Sequence, residues 1–302
     1  MNYRNILDKG LNILKKNSIF SADLDTQLLL SKSINKSREE ILLNLDKELK
    51  QEEINKFLGF IIRRKKKEPI SIILGKKFFW KYDFKVNNDV LTPRFETELL
   101  VEGVLNYYKD IKKINVLDIG VGSGCILISL LKENSKWRGT GVDLSKIALK
   151  MAKTNAKIQQ VENRIKFINS DIDKFCGNKY DLIVSNPPYI NKIGYNNLDL
   201  DVKDYEPKMA LYGGLDGLKI IDKVIKKAQY NFEFIDLGGG MGISYQKNNK
   251  LLNYEKYNSA IKNFLKKYNC KIIFEPGRSI IGNTGYLLTK IIYIKKTNKI
   301  NF

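Results

Sequence analysis

Ile114-Asn115-Val116-Leu117-Asp118-Ile119-Gly120-Val121-Gly122-Ser123-Gly124 is the stretch that decides the fold. Residues 114–119 make an apolar run of strand length, glycines follow at alternate positions, and Cys125 to Lys132 take up a helical pattern. A strand that feeds a helix through glycines lets backbone N–H groups and the helix start come close to a ligand. Outward from this turn, strands and helices alternate: strand 139–144, helix 146–157, strand 165–168 and strand 180–185. Such repetition predicts a parallel, doubly wound α/β sheet. The turn alone leaves the ligand open, because nicotinamide and flavin enzymes use similar ones.

Three further positions narrow the chemistry. Asp143 ends the second strand about 20 residues after the turn, where a carboxylate binds ribose hydroxyls, and Asp171-Ile172 follow the third strand, where residues flank an adenine ring. Capping of strand ends is the plainer alternative for both acids. Asn186-Pro187-Pro188-Tyr189 follows the apolar strand Leu182-Ile183-Val184-Ser185. Its prolines fix the backbone so that a carbonyl and the Asn186 amide oxygen hold one NH2 group flat, and Tyr189 offers an aromatic face to a planar group. An amide nitrogen is a poor nucleophile, so methyl transfer to it needs a strong leaving group. The sulfonium of S-adenosylmethionine is one, which leaves the protein alignment and the stabilisation of growing positive charge. The chain contains no histidine, and two neutral acceptors need none.

The Asp-Ile-Gly-x-Gly-Ser-Gly turn with this tetrad resembles class I methyltransferases acting on exocyclic or amide nitrogen. To about residue 230 the chain resembles the peptide chain release factor glutamine methyltransferases. Asp23-Leu24-Asp25 before Leu28-Leu29-Leu30, Glu68-Pro69-Ile70 with Leu74-Gly75, and Thr92-Pro93-Arg94-Phe95-Glu96-Thr97-Glu98 carry the likeness upstream. Tyr205-Glu206-Pro207, Ala210-Leu211 and Gly213-Gly214-Leu215-Asp216-Gly217-Leu218 carry it downstream. The resemblance implies a Rossmann-like class I S-adenosylmethionine methyltransferase with a helical N-terminal domain that helps hold its substrate. It implies N5-methylation of the glutamine in the Gly-Gly-Gln motif of release factors, a step that serves translation termination. Gly120, Val121, Gly122, Ser123, Gly124, Asp143, Asp171, Ile172 and Asn186 would meet the cofactor, and Asn186, Pro187, Pro188 and Tyr189 the glutamine. Thr92 and Phe95 depart from the family's usual Ile and Pro, and Val121 from its usual Thr, all peripheral changes.

The expected domains are a helical one at 1–75, a β-hairpin linker at 76–92, the methyltransferase domain at 93–230 and a foreign segment at 231–302. In the first, Leu7, Leu11 and Leu14 share a helix face, as do Ile54, Leu58 and Ile61, and Leu28 to Leu30 mark a helix between them. Ser21 and Ser37 stand at N-cap positions, Ser37 with Glu40 as a capping box. The hairpin texture begins near residue 69, its turn signal is Asn87-Asn88-Asp89, and 96–110 is helical. Beyond 230, Phe234 to Ile243 with its Gly238-Gly239-Gly240 and the later Glu275-Pro276-Gly277-Arg278 resemble diaminopimelate decarboxylase, where such loops bind the phosphate of pyridoxal phosphate. The half-barrel with that family's Schiff-base lysine is missing, so pyridoxal phosphate is not an expected cofactor. Residues 231–302 are expected to complete or cover the sheet edge.

Composition sets outer bounds. The 302 residues are 43% hydrophobic and 28% charged, as in globular proteins. No apolar run reaches the roughly 18 residues of a membrane span, and the N-terminus lacks a secretory pattern, so a cytoplasmic protein with no membrane partner is expected. Cys125, Cys176 and Cys270 fit neither a disulfide framework nor a zinc site, and no metal is expected. A net charge of +20 keeps a nucleic-acid partner open, although the dense run Arg63 to Lys67 closes a helix, where cations suit the negative end. Two alternatives stand beside glutamine methylation. One is an adenine N6-type nucleic-acid methyltransferase, since the same tetrad can hold a base amine; the other is an inactive chimera that only binds the cofactor.

Overall fold

Helical periodicity organises the start of the chain in the computed structural model, which describes residues 1–177, 179–217, 219–228, 234–236, 254–267 and 271–273. Helices α1 (Tyr3–Lys16), α2 (Ala22–Ile34), α3 (Arg38–Leu43), α4 (Gln51–Lys65) and α5 (Ile70–Leu74) pack around Ile6, Leu14, Leu29, Leu30, Phe57 and Ile61. The stripe of α1 is turned slightly from the expected one: Tyr3, Ile6, Gly10 and Leu14 face inward, while Leu7 and Leu11 are half-buried at its flank. Ser37 and Glu40 form the capping box on α3. Ser21 occupies the N-cap position of α2 without a side-chain capping bond; its hydroxyl donates instead to Asp25 at 2.8 Å. Buried Asp25 also accepts from Arg64 Nε at 2.6 Å, and Arg63 grips Glu68 through two nitrogens at 2.8 and 2.5 Å. The first two cations of the basic run therefore hold the helical domain together, because a buried carboxylate needs such partners.

The linker differs from its expected shape. Residues 70–74 are helical, and the hairpin is confined to β1 (Lys76–Phe79) and β2 (Tyr82–Lys85), paired antiparallel with Phe79 opposite Tyr82. Its turn is Trp80-Lys81, not Asn87-Asn88-Asp89, and Trp80 sits at φ +59°. Glu133 explains that unfavourable choice: it accepts from Trp80 Nε1 at 3.0 Å, Tyr82 OH at 2.9 Å and Lys81 Nζ at 2.8 Å. Burial pushes the Glu133 carboxyl up, and these donors outweigh it and leave it below its ordinary range.

After α6 (Glu98–Tyr107) come β3 (Asn115–Ile119), α7 (Cys125–Glu133), β4 (Arg138–Asp143), α8 (Lys146–Ile158), β5 (Ile165–Asn169) and β6 (Leu182–Ser185). The four strands form one parallel sheet in the order β5-β4-β3-β6, with Leu117 beside Thr140 on one side and Ile183 on the other. Alternation divides its side chains. Val116 and Val184 join the core made with α7, α8 and the hairpin, whereas Leu117, Ile119 and Val142 pack with Phe175 on the opposite face. Beyond β6 the chain forms β7 (Ile190–Asn191), α9 (Lys192–Asn196), α10 (Leu200–Lys203), α11 (Lys208–Leu211), β8 (Tyr212–Gly214) and α12 (Lys219–Ala228), with β7 and β8 paired parallel.

Residues 1–228 form one compact unit and 229–302 another. In the second, β9 (Phe234–Asp236), α13 (Tyr254–Lys267) and β10 (Lys271–Ile273) are described, and β9 pairs parallel with β10 in a two-stranded sheet. The Gly238 to Gly240 and Glu275 to Arg278 motifs lie outside the described residues. Completion of the larger sheet by 231–302 is not among the pairings of the described residues. No helix among the described residues is long and apolar enough to cross a membrane.

Two glycines in the helical domain give opposite expectations. A Cβ at Gly10 would lie 2.7 Å from Phe57 Cζ and 2.9 Å from Thr26 Cγ2, whereas one at Gly59 meets nothing within 4 Å. Gly10→Ala should therefore destabilise by about 1–3 kcal/mol, and Gly59→Ala should stabilise by roughly 0.5–1 kcal/mol. Urea unfolding of the two variants checks both signs.

Candidate active site

The turn after β3 is wound tightly enough to require its glycines: Gly120, Gly122 and Gly124 sit at φ +76°, +55° and +83°. The Gly120 and Val121 N–H groups both donate to Val142 O, at 2.8 and 3.1 Å, which draws the turn onto the end of β4. Gly122 N–H donates to Asp143 Oδ2 at 2.9 Å, and Ser145 N–H to Asp143 Oδ1 at 2.8 Å. On the other side, fully buried Asn155 of α8 donates to Ser123 O at 2.8 Å and to Lys85 O at 3.0 Å, while its oxygen accepts from Lys85 N–H at 2.8 Å. The members of the turn thus have different duties. Gly120 and Gly122 line a cavity of about 190 Å³. Val121 and Ser123 are buried beside it, and Gly124 packs so closely that a Cβ would lie 2.7 Å from Ile128 Cδ1.

Asp143, Asp171, Ile172, Asn186 and Pro188 line the same cavity, so residues from four strand ends come together at the carboxyl edge of the sheet. Burial pushes the Asp143 carboxyl up, and the backbone N–H groups on it only partly oppose the rise. Lys223 of α12 lies 3.9 Å from Asp171 and pairs also with Asp173, closing the wall beside Ile172. Asn186 Nδ2 donates to Thr97 Oγ1 at 3.3 Å, which leaves the amide oxygen for another donor. Pro187 and Tyr189 are not part of the cavity lining, and Tyr189 is 64% exposed.

Several contributors were not singled out as site residues from sequence. Val90 and Leu91 after the hairpin, and Pro207, Met209 and Ala210 around α11, supply apolar walls. Gly213 and Gly217 clamp the tetrad from behind: a Cβ at Gly213 would fall 2.6 Å from Pro188 O, and one at Gly217 would collide with Tyr189 O. Arg94 Nη2 donates to buried Glu206 at 2.5 Å and ties the segment carrying Thr97 to the one carrying Pro207. The signal was present, since 92–98, 205–207 and 213–217 are the motifs that carried the resemblance. What the linear sequence did not show is that they converge on one tetrad.

Cradle, carboxylates and apolar walls fit a nucleoside-bearing cofactor. At Gly120 a Cβ would project into open space within the cavity wall, so the glycine keeps the backbone accessible. Among the described residues no group of three or more His, Cys, Asp or Glu side chains could hold a metal ion.

Family models match three parts of the chain, the third beginning at residue 209, inside the segment expected to be methyltransferase. The PrmC N-terminal domain model matches residues 5–75, the Methyltransferase small domain model 95–199, and the model for the pyridoxal binding domain of pyridoxal-dependent decarboxylases 209–282. A release factor glutamine methyltransferase of Caulobacter vibrioides is 39% identical over 206 residues, 68% of this chain and 71% of that protein. One from Fusobacterium nucleatum subsp. nucleatum is 38% identical over 228 residues, 74% of this chain and 64% of that protein. A bifunctional methyltransferase of Rickettsia bellii is 38% identical over 251 residues, 73% of this chain but only 45% of that protein. The chain thus matches between 45% and 71% of the length of these relatives.

Behind the turn, Asp118 is fully buried and neither carboxylate oxygen has a hydrogen-bond partner. Burial, then the charge of Asp143, pushes it up to about 7 from an ordinary 3.8. Between those values the unfolded chain gives up a proton that the folded chain keeps, so this group lowers stability as pH rises from about 4 to 7. Asp118→Asn should flatten that part of the stability profile and gain most above pH 7. Denaturant melts of both proteins across that range decide it; parallel curves would mean Asp118 is already ionised in the fold.

Proposed function

The chain belongs to the release factor glutamine methyltransferase family, and from that membership and the geometry of the site we propose that it methylates a glutamine side-chain nitrogen in a peptide chain release factor. The observation that carries the reading is the Asn186 amide. Its nitrogen is engaged by Thr97, so its oxygen is left to accept from a substrate NH2 at the edge of the cavity. In this reading Gly120, Gly122, Asp143, Asp171 and Ile172 hold S-adenosylmethionine, which when bound supplies a methyl group on a positively charged sulfur. Asn186 and a backbone carbonyl of the tetrad hold the amide flat and aim its nitrogen. These two acceptors would stabilise the positive charge that grows on the amide nitrogen as it takes the methyl group, and the nitrogen's proton would then leave to water. Tyr189, the exposed last member of the tetrad, offers its ring face to the planar amide.

The test is transfer of a labelled methyl group from S-adenosylmethionine to purified bacterial release factor, with unmethylated DNA as a second acceptor. Label on the Gly-Gly-Gln glutamine supports the reading. Label on DNA alone would favour the nucleic-acid alternative, and cofactor binding with no acceptor labelled would leave an inactive chimera. Asn186→Ala should cost at least about 10²-fold in turnover with an unchanged circular dichroism spectrum. Gly213→Ala should also lose turnover, because its methyl group must push the tetrad out of place. Retained transfer in Asn186→Ala would remove the tetrad from the mechanism.

A further inference from the structure

The carboxyl ends of the strands form the candidate active site, and a second cavity of about 380 Å³ lies at their amino ends. Parallel register sets its floor: Asn115 lies beside Arg138, and Thr140 beside Lys166. Side-chain alternation puts all four on the face that carries Leu117 and Val142 farther along the same strands. A doubly wound sheet ordinarily fills such positions with apolar residues. Here the floor is a row of hydrogen-bond donors, and Lys179 and Arg164 join the lining from the chain entering β6 and β5.

The charges in this cavity are of one sign. Among its described lining residues there are four cations and no carboxylate. Arg164 is already committed, since its guanidinium donates to the carbonyls of Leu131, Asn134 and Trp137 at 2.7 to 3.2 Å. Burial, and then the neighbouring charge of Arg138, push Arg164 below its ordinary range. Arg138, Lys166 and Lys179 make no ion pair among the described residues. One carboxylate, Asp181, stands at its edge and accepts from Asn115 N–H at 2.7 Å; four cations still outnumber it, and a bound anion would relieve their mutual repulsion.

We propose that this cavity is a second ligand site, distinct from the methyl-transfer centre, and that it takes a phosphate group carried by a small ligand. An arginine fork beside two lysines matches the oxygens of a phosphate, and Thr140 and Asn115 add neutral donors. The cations line one recess instead of running as a stripe along the surface, which favours a compact phosphate over a nucleic-acid strand.

Thermal unfolding of the full chain tests this, with inorganic phosphate, uridine monophosphate or a short single-stranded RNA added at matched ionic strength. The same series is run on an Arg138→Gln, Lys166→Gln double variant, whose changes are remote from the proposed reaction. Phosphate or the nucleotide should raise the wild-type melting temperature in a saturable way, and the double variant should bind about a hundredfold more weakly. Equal shifts in both proteins, or no shift in the wild type, would overturn the site. A shift that the variant loses for RNA but not for the small ligands would overturn the small-ligand assignment.

Discussion

One buried amide ties together what the site rests on. Asn155 reaches from α8 to satisfy both backbone groups of Lys85 and the carbonyl of Ser123. Any of these left unpaired in the interior would cost about 1–3 kcal/mol. The glycine turn therefore cannot shift without breaking its bond to the hairpin, and Asp143 fixes the same turn from the cavity side through Gly122. Glycines alone would give a turn that is free to move. The buried amide and the carboxylate make it a shaped cradle, prepared before any ligand arrives.

The other half of the site is rigid for a different reason. It is assembled from 92–97, 186–191 and 205–217, segments that the sheet itself does not hold. Two prolines stiffen the tetrad, Gly213 and Gly217 let the following chain lie directly against it, and the Arg94–Glu206 pair fastens the outer segments together. Burial pushes the Glu206 carboxyl up, and Arg94 is the strongest of the influences that oppose it. The glycine-turn side is thus built from regular structure and the tetrad side from interlocked loops, as would suit the proposed acceptance of a flat group from outside.

Regular structure was the legible part of the sequence. The strands at 114–119, 139–144 and 165–168 and the helices at 125–132 and 146–157 agree with the observed elements to within a residue or two, because apolar spacing records which face is buried. The hairpin turn was misplaced because Asn87-Asn88-Asp89 has turn composition, whereas Trp80 takes its left-handed conformation for the sake of Glu133, more than 50 residues away. Ser21 stands at the expected N-cap position, yet makes no capping bond, because Asp25 one turn on takes its hydroxyl. The short elements between 190 and 214 carry no periodicity at all. Local pattern predicts what local forces decide, and these positions answer to distant partners.

The absence of histidine constrains how such a site can work. Among the carboxylates that line or back the cavity, Asp118 is sealed behind the turn, both oxygens of Asp143 already accept backbone N–H groups, Asp171 faces Lys223, and Asp89, exposed at the rim, accepts from Asn87 Nδ2 at 2.7 Å. Among the described hydrogen bonds none joins Asn186 to a carboxylate. A reaction that needed a proton removed before bond formation would be poorly served by this arrangement. Transfer to an amide driven by a strong leaving group asks only for alignment and for acceptors that gain strength as the nitrogen becomes positive. In the proposed reaction the carboxylates would govern how the turn folds and holds its ligand, and the chemistry would rest on uncharged groups whose character does not change across the physiological pH range.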